Sequence, residues 1–146
     1  MRPEISTFIM FVVIMTAFFI ANDKFLSPRN IRIVMGITPE YIIVAIGIAI
    51  LMISGEFDLS VGSVFALVPM TMVQLVHQGI PPWFAIALGL SIGIAVGFVN
   101  GFITIRFGIP SFIATLGMLY IARSLTTVAT GGFPPPFPHS LPNELF

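Results

Sequence analysis

The chain has 146 residues, of which 57% are hydrophobic and 8% are charged, and its formal net charge at pH 7 is zero. Its mean hydropathy is +1.07, whereas a soluble domain typically carries about 25% charged residues, so the composition excludes a water-soluble fold and predicts an integral membrane protein. The zero net charge excludes a basic face for nucleic acid, and the lack of cysteine excludes disulfides and thiolate chemistry.

Five apolar stretches follow one another along the chain, and each predicts a transmembrane helix. They cover residues 5–21, about 41–54, 59–76, 83–105 and about 109–129. A spanning helix needs about 20 apolar residues, which the second stretch reaches only if Pro39 and Glu40 lie at the membrane surface. We therefore predict an all-α membrane protein, a bundle of about five transmembrane helices with one broken or discontinuous helix region after the second.

The first stretch is interpreted as an uncleaved membrane helix rather than a signal peptide, because it is long and no small-x-small cleavage site follows it. Residues 22–38 are too polar for a bilayer core and predict a loop, in which the apolar positions 31–37 favour a short interfacial helix. Three positive charges in this loop, Lys24, Arg29 and Arg32, outnumber Arg2 and favour a cytoplasmic loop.

Proline marks the other connections. Pro81 and Pro82 break the chain directly before Trp83, a residue type that favours the headgroup boundary. Residues 106–110 predict a tight polar turn. Residues 130–146 are rich in proline, which excludes helix and paired strand, and they predict a Pro-rich loop or tail.

Residues 55–63 hold two carboxylates, Glu56 and Asp58, between the second and third stretches. In one interpretation they form a surface hairpin turn, and both acids are solvated. In the other they form a broken helix, in which Gly55 and Gly62 let the backbone leave the helix and Asp58 or Ser60 caps the next one. Non-helical backbone at membrane depth occurs only where it is buried in protein or lines a cavity, and many transporters bind substrate there. The five residues are therefore candidates for a translocation pathway or helix break.

Four glycines recur at intervals of four in the fourth stretch, so they lie on one helical face: Gly89, Gly93, Gly97 and Gly101. Small residues let two helix backbones approach closely in lipid, so this pattern predicts helix packing. Asn100 sits next to the same face and needs a hydrogen-bonding partner in lipid. It is interpreted either as structural glue between helices or as a second lining residue of the pathway.

Arg123 lies inside the fifth stretch, where an arginine at mid-bilayer costs several kcal/mol. It either reaches one membrane interface or pairs within the bundle, and Asp58 is the partner to test, with Glu56 as the other choice. Ser111, Thr115 and Thr104 are expected to bond back to their own helices.

Neither a metal site nor a catalytic set is predicted. His77 and His139 lie far apart and have no acidic partner at ligand spacing. The only lysine, Lys24, is not part of a nucleotide-binding G-x-x-x-x-G-K motif. We therefore expect no enzyme activity, no metal and no cofactor, and any ATP-driven function would need another polypeptide to hydrolyse the ATP.

The run ISGEFDLSVGS at residues 53–63 resembles the signature of permease subunits of bacterial ABC monosaccharide importers of the ribose/xylose/galactose type, which typically read G-G/E-I/F-D-L-S-V-G-S. The residues VNG at 99–101 and FGIPSFIATLGM at 107–118 are similar to that family's N-G…L-G-I-P-x-F-I-x-T-L-G. Residues 25–30, 122–125 and 130–132 continue the pattern, FLSPRN, ARSL and TGG. The blocks occur in the family's order and cover nearly the whole chain.

The resemblance implies a multi-pass permease of the bacterial inner membrane that takes up a monosaccharide or similar small polar solute. Its implied partners are a second permease subunit, cytoplasmic ATPase subunits, a periplasmic or lipid-anchored sugar-binding protein and membrane lipid. Residues 1–146 would form a single transmembrane permease domain that corresponds to the family's N-terminal half. The resemblance also implies a cytoplasmic N-terminus, which conflicts with the charge count of the first loop.

Two other functions stay open on the sequence alone. A small self-assembling channel or ion-coupled transporter could use Glu56 or Asp58 as a proton site, and would transport without an ATPase. A truncated remnant would insert into the membrane and transport nothing. The sequence does not indicate a particular sugar, because a few polar groups along a pathway do not determine which sugar is transported.

Overall fold

The computed structural model describes residues 3–133 and 136, and these form five α-helices and no strand. The helices are α1 (Pro3–Ala21), α2 (Pro28–Ile53), α3 (Val61–His77), α4 (Pro82–Phe107) and α5 (Ser111–Thr130). The predicted all-α class with five helices is confirmed. Most of the predicted Pro-rich tail, like His139, lies outside the described residues.

The chain divides into two compact units, Met1–Ala49 and Ile50–Phe146, and each is described by itself. The first unit holds α1 and most of α2. Every described side chain of α1 is exposed, and α1 and α2 are both long and apolar enough to cross a membrane. Whether residues 1–146 form a single domain stays a prediction.

The predicted long loop at residues 22–38 is wrong, because α2 already begins at Pro28. Proline suits the first position of a helix, where its missing amide hydrogen is not needed. The Ser27 hydroxyl accepts from the Asn30 amide at 3.3 Å, and the Asn30 side chain donates to the Phe25 carbonyl at 2.6 Å. The proposed interfacial helix at residues 31–37 is therefore the start of α2, which continues through Pro39.

In the second unit α3 packs against α4 and α5, and α4 also packs against α5. The buried apolar side chains are few and mostly small: Leu67, Ala85 and Ala122. Large apolar side chains point outward instead, and Ile105 is 88% exposed. A lipid solvent stabilises such an exterior, and α4 and α5 are long and apolar enough to cross a membrane.

Helix α3 is shorter than its neighbours, with 17 residues. At about 1.5 Å of rise per residue it reaches roughly 26 Å, somewhat less than the ~30 Å hydrocarbon core. Residues 54–60 precede it without helical structure. The expected discontinuity between the second and third helices is therefore present, and we call residues 54–60 the broken segment.

Candidate functional site

The broken segment follows the end of α2 at Ile53, and Gly55 is its second residue. Gly55 has φ +83°, a left-handed conformation that glycine adopts without strain. Its amide donates to the Met52 carbonyl at 3.0 Å, and the Glu56 amide donates to the Leu51 carbonyl at 3.2 Å. These bonds satisfy the last carbonyls of α2, as a glycine C-cap does. The predicted role of Gly55 as the point where backbone leaves the helix agrees with this geometry.

Gly62 has a different position from the one expected. It lies in the first turn of α3, so the break closes before it, at Ser60. An added Cβ at Gly62 would meet nothing within 4 Å, and its φ is not left-handed. The expectation that Gly62 releases the backbone from the helix is therefore wrong, because the turn around Asp58 already directs the chain into α3.

Asp58 and Ser60 form a turn at the end of the broken segment. Its Oδ1 accepts from the Ser60 amide at 2.7 Å and from the Ser60 hydroxyl at 2.6 Å, which is an Asx turn reinforced by the hydroxyl. Ser60 occupies the N-cap position of α3, but its side chain makes no capping bond. Its single hydroxyl hydrogen is already donated to Asp58, so the two residues act as a turn rather than as a cap.

Two hydroxyls of α5 hold the extended part of the broken segment. The Phe57 amide donates to Ser111 Oγ at 3.0 Å, and the Leu59 amide donates to Thr115 Oγ1 at 3.0 Å. Alternate amides of an extended chain point the same way, and residues four apart on a helix share a face. The spacing of the two amides therefore matches the spacing of the two hydroxyls. Side chains of α5 supply the hydrogen-bond acceptors that a neighbouring strand would supply in a sheet.

The expectation that Ser111 and Thr115 bond only to their own helix missed this role. Thr115 Oγ1 does donate back to the Ser111 carbonyl at 2.8 Å, but its oxygen accepts from the broken segment as well. Both residues are buried. Two hydroxyls at i and i+4 next to a stretch with unpaired amides are the signal that could have identified them.

Asn100 of α4 belongs to the same cluster. Its Nδ2 donates to Ser60 Oγ at 3.0 Å. Ser60 is 0% exposed and Asn100 is 5% exposed. Asn100 Oδ1 is buried and has no hydrogen-bond partner among the described residues. The pairing agrees with structural glue, while the free acceptor leaves the second interpretation, pathway lining, equally open.

A cavity of about 360 Å³ lies beside the broken segment. Its polar lining includes Ser54, Glu56, Asp58 and Asn100, and Phe57 contributes an aromatic face. Both carboxylates are half-buried. None of the described residues that line it is Lys, Arg or His, so the cavity presents negative charge without a cation to balance it.

The glycine face of α4 divides into two parts. A Cβ at Gly89 would lie 2.5 Å from Met72 Cγ, and one at Gly93 would lie 3.5 Å from Val68 Cγ2, so these two glycines face α3. A Cβ at Gly97 or Gly101 would meet nothing within 4 Å. These two line the cavity instead. Gly89 and Gly93 thus form a packing surface against α3, whereas Gly97 and Gly101 form part of the cavity wall.

Arg123 is not part of this cluster. Its side chain is exposed and lines a second cavity of about 510 Å³, together with Gly62, Ser63 and threonines of α5. Within residues 3–133 it forms no ion pair with Asp58, whose Oδ1 is bonded to Ser60.

The same part of the chain contains no group of three or more metal-binding side chains. His77 bonds through Nε2 to the Pro136 carbonyl at 2.8 Å.

The chain is similar to known permeases. A family model described as the permease component of a branched-chain amino acid transport system matches residues 30–138. The chain is 34% identical to the xylose/arabinose import permease protein XylH of Sulfolobus acidocaldarius, over 94% of this chain and 41% of that protein. It is 35% identical to the ribose import permease protein RbsC of Bacillus subtilis, over 90% and 40%.

A third relative is the probable ABC transporter permease protein y4mJ of Sinorhizobium fredii, which is 37% identical over 62% of this chain and 27% of that protein. The chain therefore spans about two fifths of the length of XylH and RbsC, and the match lies in their N-terminal part. No solved structure matches the chain.

Proposed function

The chain belongs to the family of branched-chain amino acid transport system permease components, and on that premise we propose that it is the transmembrane permease component of an ABC importer for a monosaccharide or similar small polar solute. It is a multi-pass membrane protein of the bacterial inner membrane. The relatives named for xylose, arabinose and ribose support a sugar as the solute.

The single observation that carries this proposal is the broken segment beside the cavity. Its backbone is non-helical, and its amides are bonded to buried hydroxyls of α5 rather than to neighbouring backbone. Backbone of this kind survives at membrane depth only inside protein or along a cavity, and transporters place solute sites at such breaks. We assign Gly55, Glu56, Asp58, Ser60 and Asn100 to the solute pathway. Gly62, in the first turn of α3, lines the second cavity and is not part of this assignment.

The energy for uptake comes from other polypeptides in this proposal. The permease works with a second permease subunit, with cytoplasmic ATPase subunits and with a periplasmic or lipid-anchored sugar-binding protein. The chain holds no nucleotide-binding lysine motif, which supports a role as the membrane part alone.

The test is uptake by a reconstituted complex. The chain is co-expressed with a second permease subunit, ATPase subunits and a sugar-binding protein, purified, and placed in liposomes. We expect ATP-dependent uptake of radiolabelled D-xylose or D-ribose, and none when the Walker lysine of the ATPase is replaced by alanine. Uptake by this chain alone without ATP, or failure to form any complex with the ATPase, would contradict the proposal.

A further inference from the structure

Arg123 is a charged side chain in the interior of a helix that can span a membrane. α5 has 20 residues and is long and apolar enough to cross. At about 1.5 Å of rise per residue, Arg123 lies about 18 Å from Ser111 and about 10 Å from Thr130. The Cα–Cβ bonds of a helix tilt toward its N-terminus, so the side chain leans away from the nearer end. It therefore stays within the hydrocarbon core instead of reaching an interface.

The packing of α3 against α5 gives the same depth for Arg123. The Leu59 amide donates to Thr115 Oγ1 at 3.0 Å, and Gln74 Nε2 donates to the Ala129 carbonyl at 2.9 Å. The two helices therefore run in the same direction, and each residue of α5 lies beside the α3 position numbered 55 or 56 lower. Arg123 is thus level with the middle of α3.

The helices of the second unit supply no counter-charge for Arg123. Its guanidinium makes no hydrogen bond or ion pair within residues 3–133. The sequence from Val61 to Phe133, which includes α3, α4 and α5, contains no aspartate or glutamate. Glu56 and Asp58 line the other cavity. A charged group in a membrane helix pairs with another charge or faces the interior of a bundle, so Arg123 needs a partner from elsewhere.

The face of α5 that carries Arg123 has the spacing of a helix-packing surface. Five residues recur there at intervals of four and three: Leu116, Tyr120, Arg123, Thr127 and Thr130. This spacing places them on one side of the helix, as in helices that pack together. The first four are exposed and Thr130 is half-buried. The hydroxyls of Thr127 and Thr130 donate to carbonyls of their own helix, so toward a neighbour they can only accept.

Neither lipid nor water suits the whole of this face. Lipid stabilises Leu116, which is 40% exposed, but not the guanidinium of Arg123. Water stabilises the guanidinium but not the leucine. A second helix suits both, because it places an apolar side chain opposite one and an acidic side chain opposite the other. The cavity of about 510 Å³ between Arg123 and Ser63 of α3 provides room for that acidic side chain.

Resting on the proposed function, we propose that this face of α5 docks a transmembrane helix of another permease polypeptide, and that a carboxylate of that helix forms an ion pair with Arg123 inside the membrane. A guanidinium offers five N–H donors and no acceptor, and it binds a carboxylate through two parallel bonds. XylH and RbsC are more than twice as long as the part that matches this chain, so a complete permease has further segments that could supply the acidic helix.

Photo-cross-linking in the assembled importer tests the inference. Thr127 is replaced by the photoreactive amino acid p-benzoylphenylalanine, and the importer is illuminated in lipid nanodiscs. Val128→p-benzoylphenylalanine is the matched control. Val128 is the next residue, is 80% exposed and lies about 140° around the helix from Arg123. We expect the Thr127 probe to link to a transmembrane peptide of the other permease polypeptide that contains aspartate or glutamate. The yield should be at least ten-fold that of the same peptide from the Val128 probe.

The role of the charge is tested by substitution at Arg123. Arg123→Leu breaks no side-chain contact within residues 3–133, and leucine favours insertion into a membrane. We expect the cross-link yield to fall at least ten-fold in this variant and to be kept in Arg123→Lys. Arg123→Asp should also abolish the link. Replacing the acid of the linked peptide by arginine in the Arg123→Asp background should restore it.

Other occupants of the face give different results. Cross-links to lipid alone, or to a peptide without an acid, would overturn the inference. A link to another segment of this chain would also overturn it, and a link to α2 would point to Glu40 instead. An unchanged yield in Arg123→Leu would overturn the ion pair.

A water-filled path is distinguished by a thiol, because the chain contains no cysteine. Rapid reaction of Thr127→Cys in the assembled importer with a membrane-impermeant methanethiosulfonate reagent would overturn the inference, and protection of the thiol supports it. If the cross-link forms but no ATP-driven uptake occurs, the proposed function fails and the docking face stands. If uptake occurs without the cross-link, only this inference fails.

Discussion

Three polar residues in the second unit form a short chain of hydrogen bonds with a fixed direction. Asn100 donates to Ser60, and Ser60 donates to Asp58. The direction leaves one acceptor, Asn100 Oδ1, buried and unpaired. Buried polar atoms are left without a hydrogen-bond partner mainly at functional sites, where a gain in function offsets a loss in stability. The unpaired oxygen is therefore the feature that most clearly marks this cluster as more than structural.

The first prediction separates stability from function at Asn100. Asn100→Leu removes an unpaired buried acceptor, which relieves about 1–3 kcal/mol, and loses one hydrogen bond to Ser60 of about 1 kcal/mol. We expect the melting temperature in detergent to stay the same or rise by a few degrees. At the same time ATP-driven sugar uptake by the assembled importer should fall. A melting temperature well below that of the wild type would instead mean that Asn100 is mainly structural glue.

The second prediction concerns the hydroxyls that hold the broken segment. Thr115→Val keeps the shape of the side chain but leaves the Leu59 amide without a partner, at a cost of about 1–3 kcal/mol. Hydrogen exchange followed by mass spectrometry should show faster exchange in peptides covering residues 54–60. Thr127→Val on the same helix is the matched control, since its hydroxyl bonds only to the Arg123 carbonyl. Equal exchange in the two variants would contradict the tether.

Among the elements, the start of α2 is marked in the sequence by a helix signal, which a count of polar residues does not detect. Ser27 followed by Pro28 is an N-terminal helix signal, and the structure uses it. The charges of Arg29 and Arg32 suggested a loop, although long basic side chains on the first two turns of a helix can remain in the headgroup layer. The helix signal is therefore present in the local sequence, although the polar residues around it favour a loop.

The broken segment was predictable as a discontinuity but not in its contacts. Gly55 and the acids around it mark the end of a helix on sequence grounds alone. The partners Ser111, Thr115 and Asn100 lie 40 or more positions away. Periodicity describes only neighbours along one helix, so which hydroxyl meets which amide depends on how α4 and α5 pack.

The third prediction tests the division of the glycine face on α4. Gly89→Leu would overlap Met72 in α3, and overpacking of this kind typically costs about 1–3 kcal/mol. A Cβ at Gly97 meets nothing within 4 Å, and Gly97→Leu gains helix propensity of about 0.8–1 kcal/mol. Thermal unfolding in detergent should show a clear loss of stability for Gly89→Leu alone. Comparable losses for both variants would mean that the face is a single packing surface.

At the scale of the whole molecule, the chain buries little of its apolar surface. Within the described part, Leu67, Ala85 and Ala122 are the only buried hydrophobic side chains. The curated relatives XylH and RbsC are more than twice as long as the part that matches. Under the proposed function, we expect the exposed faces to contact lipid and other permease segments.

The most direct measurement of the central claim, that solute passes along the cavity beside the broken segment, is uptake by the assembled importer carrying Gly97→Leu. This variant should fold like the wild type, yet its side chain fills the cavity. We predict that ATP-driven uptake of D-xylose or D-ribose falls by about ten-fold or more, which requires only about 1.4 kcal/mol in the limiting barrier. Gly117→Leu, on α5 at a position where a Cβ also meets nothing within 4 Å, should keep wild-type uptake. Wild-type uptake by Gly97→Leu would contradict the account.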